Sequence, residues 1–176
     1  VMQAARLVEW HRLMMAETDW IIIPARHDSR RLPGKPLALV RPHSDDLLAE
    51  LGRFFGSVDR SLADFDHPAA GRDFHWDLQR AGAVVGEHIE LIADAPRRDL
   101  VRRFLERFRE NTLPRMPGLP QQVIHNDGND YNVLVVPHGA WSQRISGVID
   151  FGDMVRTVRV AEPAIVCAYA MMDKVD

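Results

Sequence analysis

The chain has 176 residues, of which 46% are hydrophobic and 27% are charged. This composition is typical of one ordinary globular domain, or one and a half small ones, with a core of useful size. The formal net charge of −3, from 25 acidic and 22 basic residues, gives no indication of a nucleic acid or an anionic membrane as the partner.

The cysteine content and the hydropathy pattern predict a soluble protein of the reducing cytoplasm. The single cysteine, Cys167, excludes an intramolecular disulfide and lies in the apolar run AIVCAYAMM, which predicts a buried small side chain rather than a reactive thiol. We find neither an apolar stretch of membrane-spanning length nor the features of a signal peptide. The chain begins at Val1 rather than methionine, which is typical of an excised, processed or incomplete chain.

The first forty residues are predicted to form a helix and two extended segments. Residues 1–18 carry apolar groups at roughly helical spacing. Residues 21–23 are a β-branched run that Pro24 ends, and the pair Pro33-Gly34 supplies turn chemistry before a second extended segment at residues 36–40.

The middle of the chain has the character of helices. Ser44 is a good N-cap for a helix over residues 45–65, whose apolar residues at helical spacing are Leu47, Leu48, Leu51, Phe54, Phe55, Val58 and Leu62. After a polar loop, residues 81–92 predict a second, short helix. A third helix begins near Ala95-Pro96, with an arginine-rich face that we interpret as solvated surface and an apolar face formed by Leu100, Val101, Phe104, Leu105 and Phe108.

After Pro120 the pattern predicts strands. Residues 122–124, 132–136 and 144–149 have the composition of short strands, and residues 137–140 connect the last two. A final helix is predicted from about Pro163, because proline is favoured in the first turn of a helix.

The stretch VIHNDGNDYNVLV, residues 123–135, places many polar side chains between two predicted strands. It contains His125, Asp127 and Asn132 in the pattern H-x-D-x-x-x-x-N, and Asp150 opens the tripeptide D-F-G further along. Phosphoryl transfer requires a group that accepts the proton of the incoming hydroxyl, together with oxygen ligands for Mg²⁺ on the nucleotide phosphates. Asp127, on a loop directly after a strand, suits the first role.

Asn132 and Asp150 suit the second role. Asn132 presents a neutral carbonyl oxygen, and Asp150 presents a charged carboxylate. Mg²⁺ prefers oxygen ligands and keeps several waters, so two protein groups plus the phosphates are enough. If residues 132–136 and 144–149 pair as a hairpin, both side chains lie at the same end of it and can contact one ion.

These segments carry a family resemblance. HNDGNDYNVLV followed by GVIDFGDM resembles the catalytic and metal-binding segments of the aminoglycoside phosphotransferase and choline kinase family, and is most similar to its hydroxylysine-kinase-like branch. The resemblance covers roughly residues 32–172. It implies an α+β fold: a protein-kinase-like C-terminal lobe that is mostly helical, with a small β-hairpin carrying both segments.

The resemblance also implies roles for individual residues. Asp127 would be the catalytic base, and His125 a supporting residue that orients the loop. Asn132 and Asp150 would be the Mg²⁺ ligands, and Asp153 would add to the metal or substrate environment.

The N-terminal part fits the family less well. In these kinases a lysine of the N-terminal lobe binds the nucleotide phosphates and a loop covers them. Lys35 is the only lysine before the catalytic loop, which makes it the candidate nucleotide-binding residue, yet the resemblance places it on the hinge side; a G-x-G pair is absent from the sequence. We therefore expect residues 1–31 to be a remnant or atypical segment, with the N-terminal lobe absent or reduced, and residues 32–176 to be a large lobe truncated at its C-terminus.

A second resemblance leads to a different function. DWIIIPARHDSRRLPGKPL is similar to the opening of sugar-activating cytidylyltransferases, in which such a segment holds the phosphates of CTP. Arg26, Arg31 and Lys35 would then contact the phosphates. The alternating β-α pattern of such an enzyme does not continue after Leu39.

The sequence thus predicts a phosphotransferase that uses Mg²⁺ and moves the γ-phosphate of ATP or GTP to a hydroxyl of a small, amine-bearing molecule, similar to hydroxylysine or an aminoglycoside. The acidic residues Asp130, Asp153 and Glu162 either favour a cationic acceptor or are solvated surface. The alternatives are a non-catalytic, incomplete kinase-like lobe and the cytidylyltransferase. The sequence does not predict an oligomeric state.

Overall fold

Residues 35–37, 43–138 and 142–172 are described by the computed structural model. The predicted N-terminal helix and first strand, at residues 1–18 and 21–23, lie outside these ranges. So does most of the predicted extended segment at residues 36–40. Within the described ranges, no helix is both long enough and apolar enough to cross a membrane.

The architecture is α+β, as the sequence predicts. The α-helices are α1 (Asp45–Ser61), α2 (Ala81–His88), α3 (Ala95–Arg107) and α4 (Ala161–Met171). The strands are β1 (Lys35–Pro36), β2 (Gln121–Ile124), β3 (Val133–His138), β4 (Ser142–Val148) and β5 (Val155–Val158). Short 3-10 turns lie at Pro68–Gly71, Leu78–Arg80, Ile89–Leu91, Leu113–Gly118 and Phe151–Asp153, and a π-helical turn at Phe108–Thr112 extends α3.

The strands form two small antiparallel sheets. In the first, β3 lies between β1 and β4, and the β3–β4 pair is the predicted hairpin, with Val133 opposite Val148. In the second, β2 pairs with β5, so that Gln121 lies opposite Val158 and Ile124 opposite Val155. The chain leaves β2, enters β3, and returns through β4 to β5. The loop after β2 and the loop after β4 are therefore brought together.

Helix α1 forms for the reasons that its sequence indicates. The hydroxyl of Ser44 accepts a hydrogen bond from the Leu47 N–H at 3.2 Å, and two aspartates in the first turn complement the helix dipole. The helix ends at Ser61, before the predicted limit at residue 65. Most of its predicted apolar face is buried, namely Leu47, Leu51, Phe54 and Phe55, together with Leu62 just beyond the helix.

One apolar cluster joins α1, the hairpin and α4. Its buried members are Leu37, Leu47, Leu51, Phe54, Phe55, Val133, Val135, Ile145, Val148 and Val166. Burial of each large apolar side chain contributes roughly 1.5–3 kcal/mol to the stability of the fold, before the loss of conformational entropy is subtracted. The position of the hairpin is therefore fixed by packing on two helices. A second cluster, Met116, Ile124, Val158 and Ala161, packs the two-stranded sheet against the start of α4.

One predicted apolar face is covered only in part, and the predicted burial of Cys167 is wrong. The apolar face of α3 is covered only near its C-terminal end, where Leu105 is buried, whereas Leu100 and Phe104 remain 45% and 59% exposed. Cys167 is exposed rather than buried, because the buried positions on α4 are Ala161, Glu162 and Val166, on another side of the helix. Helical periodicity shows that a face exists, but the packing of other elements decides which face is covered.

The glycines give a test of the packing. Gly52 lies in α1 with nothing within 4 Å of the position of an added Cβ, whereas a Cβ at Gly128 would lie 2.5 Å from Cγ2 of Val166 and 2.9 Å from Cζ of Phe55. We expect Gly52→Ala to raise the free energy of unfolding by up to about 1 kcal/mol, since alanine favours helix. Gly128→Ala should lower it by about 1–3 kcal/mol through overpacking.

Urea unfolding followed by circular dichroism measures both changes. Each variant adds one methyl group, so Gly52→Ala is the matched control for Gly128→Ala. Equal and small effects of the two substitutions would contradict the close packing of α1 and α4 around Gly128.

Candidate active site

The candidate site is built on the loop between β2 and β3, residues 125–132, which we call the catalytic loop. The buried strand β2 ends at Ile124, and the chain then turns through a series of side chain to main chain hydrogen bonds rather than through regular structure. Oδ1 of Asn129 accepts the N–H groups of Tyr131 and Asn132, at 2.8 and 3.1 Å. Such bonds from asparagine to the following main chain are a usual way to stabilise a tight turn.

Asp127 is held by two side-chain amides. Nδ2 of Asn129 donates to Oδ1 of Asp127 at 2.7 Å, and Nδ2 of Asn132 donates to its Oδ2 at 2.6 Å and to its main-chain carbonyl at 3.0 Å. Burial raises the pKa of Asp127 above its ordinary value, and the negative charge of Asp150 acts in the same direction, while the two amide donors lower it. The loop thus fixes both carboxylate oxygens.

Asn132 and Asp150 lie at the same end of the β3–β4 hairpin, as predicted. Val133 pairs with Val148, and the N–H of Ile149 donates to the carbonyl of Asn132 at 2.9 Å. Asp150 follows at once. The antiparallel register therefore brings the two predicted metal ligands to neighbouring positions, although they are far apart in the sequence.

His125 connects the catalytic loop to the segment that carries Asp150. Its imidazole is fully buried, with Nε2 at 3.0 Å from the carbonyl of Ile149, while Nδ1 accepts the N–H of Asp127 at 3.3 Å. Because a carbonyl accepts and an N–H donates, the ring carries its proton on Nε2 and is neutral. Burial lowers the pKa of His125 to about 4.

Two non-glycine residues of the site have left-handed main-chain conformations. The φ angles of Asn126 and Asp150 are 67° and 64°. Asparagine and aspartate adopt this region more readily than most residues, yet it still costs energy that neighbouring contacts must offset. Asn126 donates from its side chain to the carbonyl of Trp76 at 3.4 Å, and Asp150 accepts the N–H of Gly152 at 3.3 Å.

Three carboxylates interact electrostatically at this end of the hairpin. The pKa of Asp153 is raised by burial and then by the charges of Asp127 and Asp150, and it is lowered by Arg72. Like charges in one place disfavour each other's ionisation, and a bound cation relieves that repulsion.

The donor set fits a magnesium ion that also binds phosphates. Because Nδ2 of Asn132 is engaged by Asp127, the polar atom that remains for a ligand is its amide oxygen, and Asp150 adds an exposed carboxylate. Within the described part of the chain, no group of three or more His, Cys, Asp or Glu side chains is arranged to hold a metal alone. Mg²⁺ bound through one or two protein groups, phosphates and water needs no such group.

Arg72 is a contributor that sequence reasoning missed. Its guanidinium donates through Nη2 to the carbonyls of Gly152 and Met154, at 2.7 and 3.3 Å, and so holds the turn around Asp153 from outside. The guanidinium also lies 4.2 Å from the ring centroid of Phe74. The sequence gives no signal for this role, because arginines are abundant along the chain and Arg72 lies 80 residues before Gly152.

Two of the acidic candidates lie in surroundings that differ from those predicted. Glu162 is fully buried, so it is neither solvated surface nor open to an acceptor, and Asp130 is only 6% exposed. The main chain of Lys35 pairs with Val135 at the edge of the hairpin sheet, which leaves the role of its side chain a prediction. Arg26 and Arg31 lie outside the described residues.

Comparison with known proteins identifies the family. The model of the phosphotransferase enzyme family, APH, matches residues 29–176. The chain belongs to this family. The match includes the region of Lys35 that also resembles cytidylyltransferases, and the phosphotransferase reading is therefore favoured there.

Three curated relatives of the chain are described as hydroxylysine kinases. The chain is 30% identical over 150 residues to the hydroxylysine kinase of Mus musculus, covering 81% of this chain and 39% of the relative. It is 28% identical over 150 residues to the hydroxylysine kinase of Bos taurus, with the same coverage, and 27% identical over 146 residues to that of Danio rerio, covering 81% and 41%. The chain thus spans about two fifths of the length of these relatives.

The buried imidazole predicts a pH dependence of stability. The pKa of His125 falls from 6.5 in an unfolded chain to about 4 in the folded chain, so the stabilising effect of the neutral ring is complete above pH 6.5 and is lost as the pH falls to 4. The free energy of unfolding falls by roughly 3 kcal/mol over this range. His125→Gln keeps a donor at the position of Nε2 and does not titrate.

Chemical denaturation of both proteins between pH 7 and pH 4 tests this. We expect the free energy of unfolding to fall by roughly 3 kcal/mol more in the parent chain than in His125→Gln over this interval. Acidic groups with raised pKa values contribute with the opposite sign, but they are common to both proteins and cancel in the difference. Parallel curves for the two proteins would contradict the neutral, buried imidazole.

Proposed function

We propose that the chain carries the catalytic loop and metal-binding segment of a small-molecule kinase that transfers the γ-phosphate of ATP or GTP to a hydroxyl group. The observation that carries this proposal is the geometry around Asp127. One side-chain amide, that of Asn132, binds the Asp127 carboxylate, and the main chain of the same residue binds the segment that carries Asp150. A proton acceptor and two oxygen ligands are thereby held in one rigid unit, which phosphoryl transfer requires.

Asp127 is the proposed catalytic base. Two amide donors fix the orientation of its carboxylate, and burial raises its pKa, which brings the group closer to the proton affinity that a base needs near neutral pH. His125 acts on the same residue through the main-chain N–H of Asp127 and is proposed as a support of the loop.

Asn132 and Asp150 are the proposed Mg²⁺ ligands, and Asp153 adds negative charge beside them. Bound Mg²⁺ would neutralise charge on the nucleotide phosphates. Lys35 stays a prediction as the phosphate-binding lysine, because its position is known only from the main-chain pairing with β3. The division into residues 1–31 and 32–176 and the cytoplasmic location also stay predictions.

The proposed acceptor is a small molecule that carries both a hydroxyl and an amine. The relatives are named hydroxylysine kinases. The carboxylates of Asp127 and Asp130 support a cationic acceptor: burial is the main cause that raises the pKa of Tyr169 on α4, and the charges of these two aspartates raise it further. Negative potential on this side of the loop favours an ammonium group.

Substitution of the proposed base tests the chemistry. Asp127→Ala should lower kcat for phosphate transfer to hydroxylysine by about 10²- to 10⁴-fold, the usual contribution of a positioned base. Asp64→Ala, which removes an exposed aspartate outside the site, is the matched control and should leave kcat unchanged. Turnover is measured by coupled release of ADP or GDP.

Three outcomes test the proposal and its alternatives. Retained turnover in Asp127→Ala would exclude Asp127 as the base. If the parent chain binds Mg²⁺–ATP in calorimetry but transfers no phosphate, it is a non-catalytic part of the kinase-like lobe. CTP binding that is lost in Lys35→Ala but retained in Asp127→Ala would favour the cytidylyltransferase.

The metal ligands are tested by the dependence on magnesium. Asp150→Asn should raise the apparent Kd for Mg²⁺ in the presence of ATP by at least about tenfold, because loss of one charged ligand removes on the order of 1.4 kcal/mol or more. Asp153→Asn should have a smaller effect, since this residue is proposed to lie beside the ion rather than to bind it. Calorimetric titration of Mg²⁺ measures both, and the reverse order would exchange the two roles.

A further inference from the structure

Residues 72–79 contact both segments of the proposed site without belonging to either of them. We infer that Arg72, at the start of this stretch, is a positioning residue that holds the turn of residues 150–154 in the conformation that binds Mg²⁺. We call residues 150–154 the metal turn, because they include the proposed ligand Asp150. The inference rests on the proposed function and adds to it a residue outside the H-x-D-x-x-x-x-N and D-F-G segments.

Arg72 binds the metal turn directly, across 80 residues of sequence. Its Nη2 donates to the carbonyl of Gly152 at 2.7 Å and to the carbonyl of Met154 at 3.3 Å. The two carbonyls belong to the residues on either side of Asp153. Hydrogen bonds from a charged donor are stronger than those from a neutral one. A change in the conformation of the turn would have to break both of them.

The metal turn depends on support from outside, because its own hydrogen bonds are long. The N–H of Gly152 donates to Oδ1 of Asp150 at 3.3 Å, and the N–H of Met154 donates to the carbonyl of Phe151 at 3.4 Å. Asp150 also has a φ angle of 64°, a conformation that persists only where the surroundings maintain it. The two bonds from Arg72 are contacts of this kind.

The stretch that carries Arg72 is anchored in the core of the protein. Thr157 on β5 is fully buried, and its hydroxyl donates to Oδ1 of Asp77 at 2.6 Å and accepts from Nε2 of Gln79 at 2.9 Å. Oδ1 of Asp77 also accepts the N–H of Gln79 at 3.0 Å. A side-chain network on a buried strand gives residues 72–79 a fixed base, from which Arg72 reaches the metal turn.

Two further contacts fix the stretch close to the site. The guanidinium of Arg72 lies 4.2 Å from the ring centroid of Phe74, a cation–π contact that restricts where the long side chain can lie. The carbonyl of Trp76 accepts a hydrogen bond from Nδ2 of Asn126, in the catalytic loop, at 3.4 Å. Residues 72–79 therefore connect the metal turn to the loop that carries the proposed base.

The charge and the hydrogen bonds of Arg72 have opposite effects on Mg²⁺ binding. Burial and then the charges of Asp127 and Asp150 raise the pKa of Asp153, whereas the charge of Arg72 lowers it, so the guanidinium acts on the acidic group of the site. A positive charge there repels a second cation. A turn that is already ordered favours the ion, because less conformational freedom is lost on binding. Arg72 is exposed and its charge is screened by water, so we expect the effect of order to dominate.

Arg72→Met distinguishes the two effects by the sign of the change. Methionine fills part of the same space without charge or donors. We expect the apparent Kd for Mg²⁺ in the presence of ATP to rise about tenfold, and kcat to fall about tenfold, because charge-assisted hydrogen bonds of this strength are lost. KM for the acceptor should change less than about threefold, since the catalytic loop remains. Calorimetric titration of Mg²⁺ and coupled release of ADP measure these quantities.

Arg80→Met is the matched control. It removes an equal charge just after the same stretch, where the exposed guanidinium of Arg80 pairs with Asp73 at 2.9 Å rather than with the metal turn. The Kd for Mg²⁺ and kcat should stay within about twofold of the parent values.

A second measurement needs neither nucleotide nor turnover. NMR order parameters of the Gly152 and Met154 N–H groups, measured without Mg²⁺ and ATP, should lie near the rigid value of about 0.85 in the parent chain and in Arg80→Met. In Arg72→Met they should fall below about 0.6, because the turn loses the donor that holds both carbonyls.

The outcomes separate this inference from the proposed function. A lower or unchanged Kd for Mg²⁺ in Arg72→Met overturns the positioning role, as does an equal rise in Arg72→Met and Arg80→Met. If the parent chain does not bind Mg²⁺–ATP, the proposed function fails and the order parameters decide the inference alone. In that case, a fall confined to Arg72→Met supports the assigned contact, and unchanged order parameters overturn it.

Discussion

The buried imidazole of His125 joins the two segments on which the site depends. One ring nitrogen binds the main chain of Asp127 and the other binds the main chain of Ile149, the residue before Asp150. The ring also packs edge-on against Phe151 and Phe55, with centroid distances of 4.7 and 6.3 Å. Because the imidazole has a donor at one side and an acceptor at the other, a single neutral side chain satisfies both main-chain groups and sets the spacing between the proposed base, Asp127, and the proposed metal ligand, Asp150.

The rest of the fold keeps this arrangement rigid. The β3–β4 register brings Asn132 beside Asp150, and α1 and α4 press on the catalytic loop from either side of Gly128. Because the interior is close-packed, even a small displacement of the loop would lose contacts with its neighbours. It also explains why two left-handed residues persist here. Strain at Asn126 and Asp150 is maintained because the surrounding contacts leave the loop few alternatives.

The site also gathers charge of one sign. Burial raises the pKa values of Asp127 and Asp153, the charge of Asp150 adds to both shifts, and the charge of Arg72 opposes the shift at Asp153. An arrangement of acids that repel one another is poor for stability alone, and it becomes favourable when a divalent cation and its phosphates bind.

The sequence alone indicated the family and the candidate residues of the site. The order and spacing of His125, Asp127, Asn132 and Asp150 indicated a phosphotransferase, and the family comparison agrees, because this chemistry needs particular side chains at fixed places along one hairpin. Apolar periodicity likewise predicted α1, and β-branched runs predicted β2, β3 and β4, because these signals are local.

Only the tertiary structure decided which distant groups support the site. The packing of distant elements decides four features that the sequence did not reveal. These are strand β5, the hydrogen bond from Arg72 to the Gly152 carbonyl, the burial of Glu162 and the exposure of Cys167. The sequence of one strand or helix does not show which distant residue it will contact in the folded chain. Contacts across 36 or 80 residues appear only after folding has placed both groups.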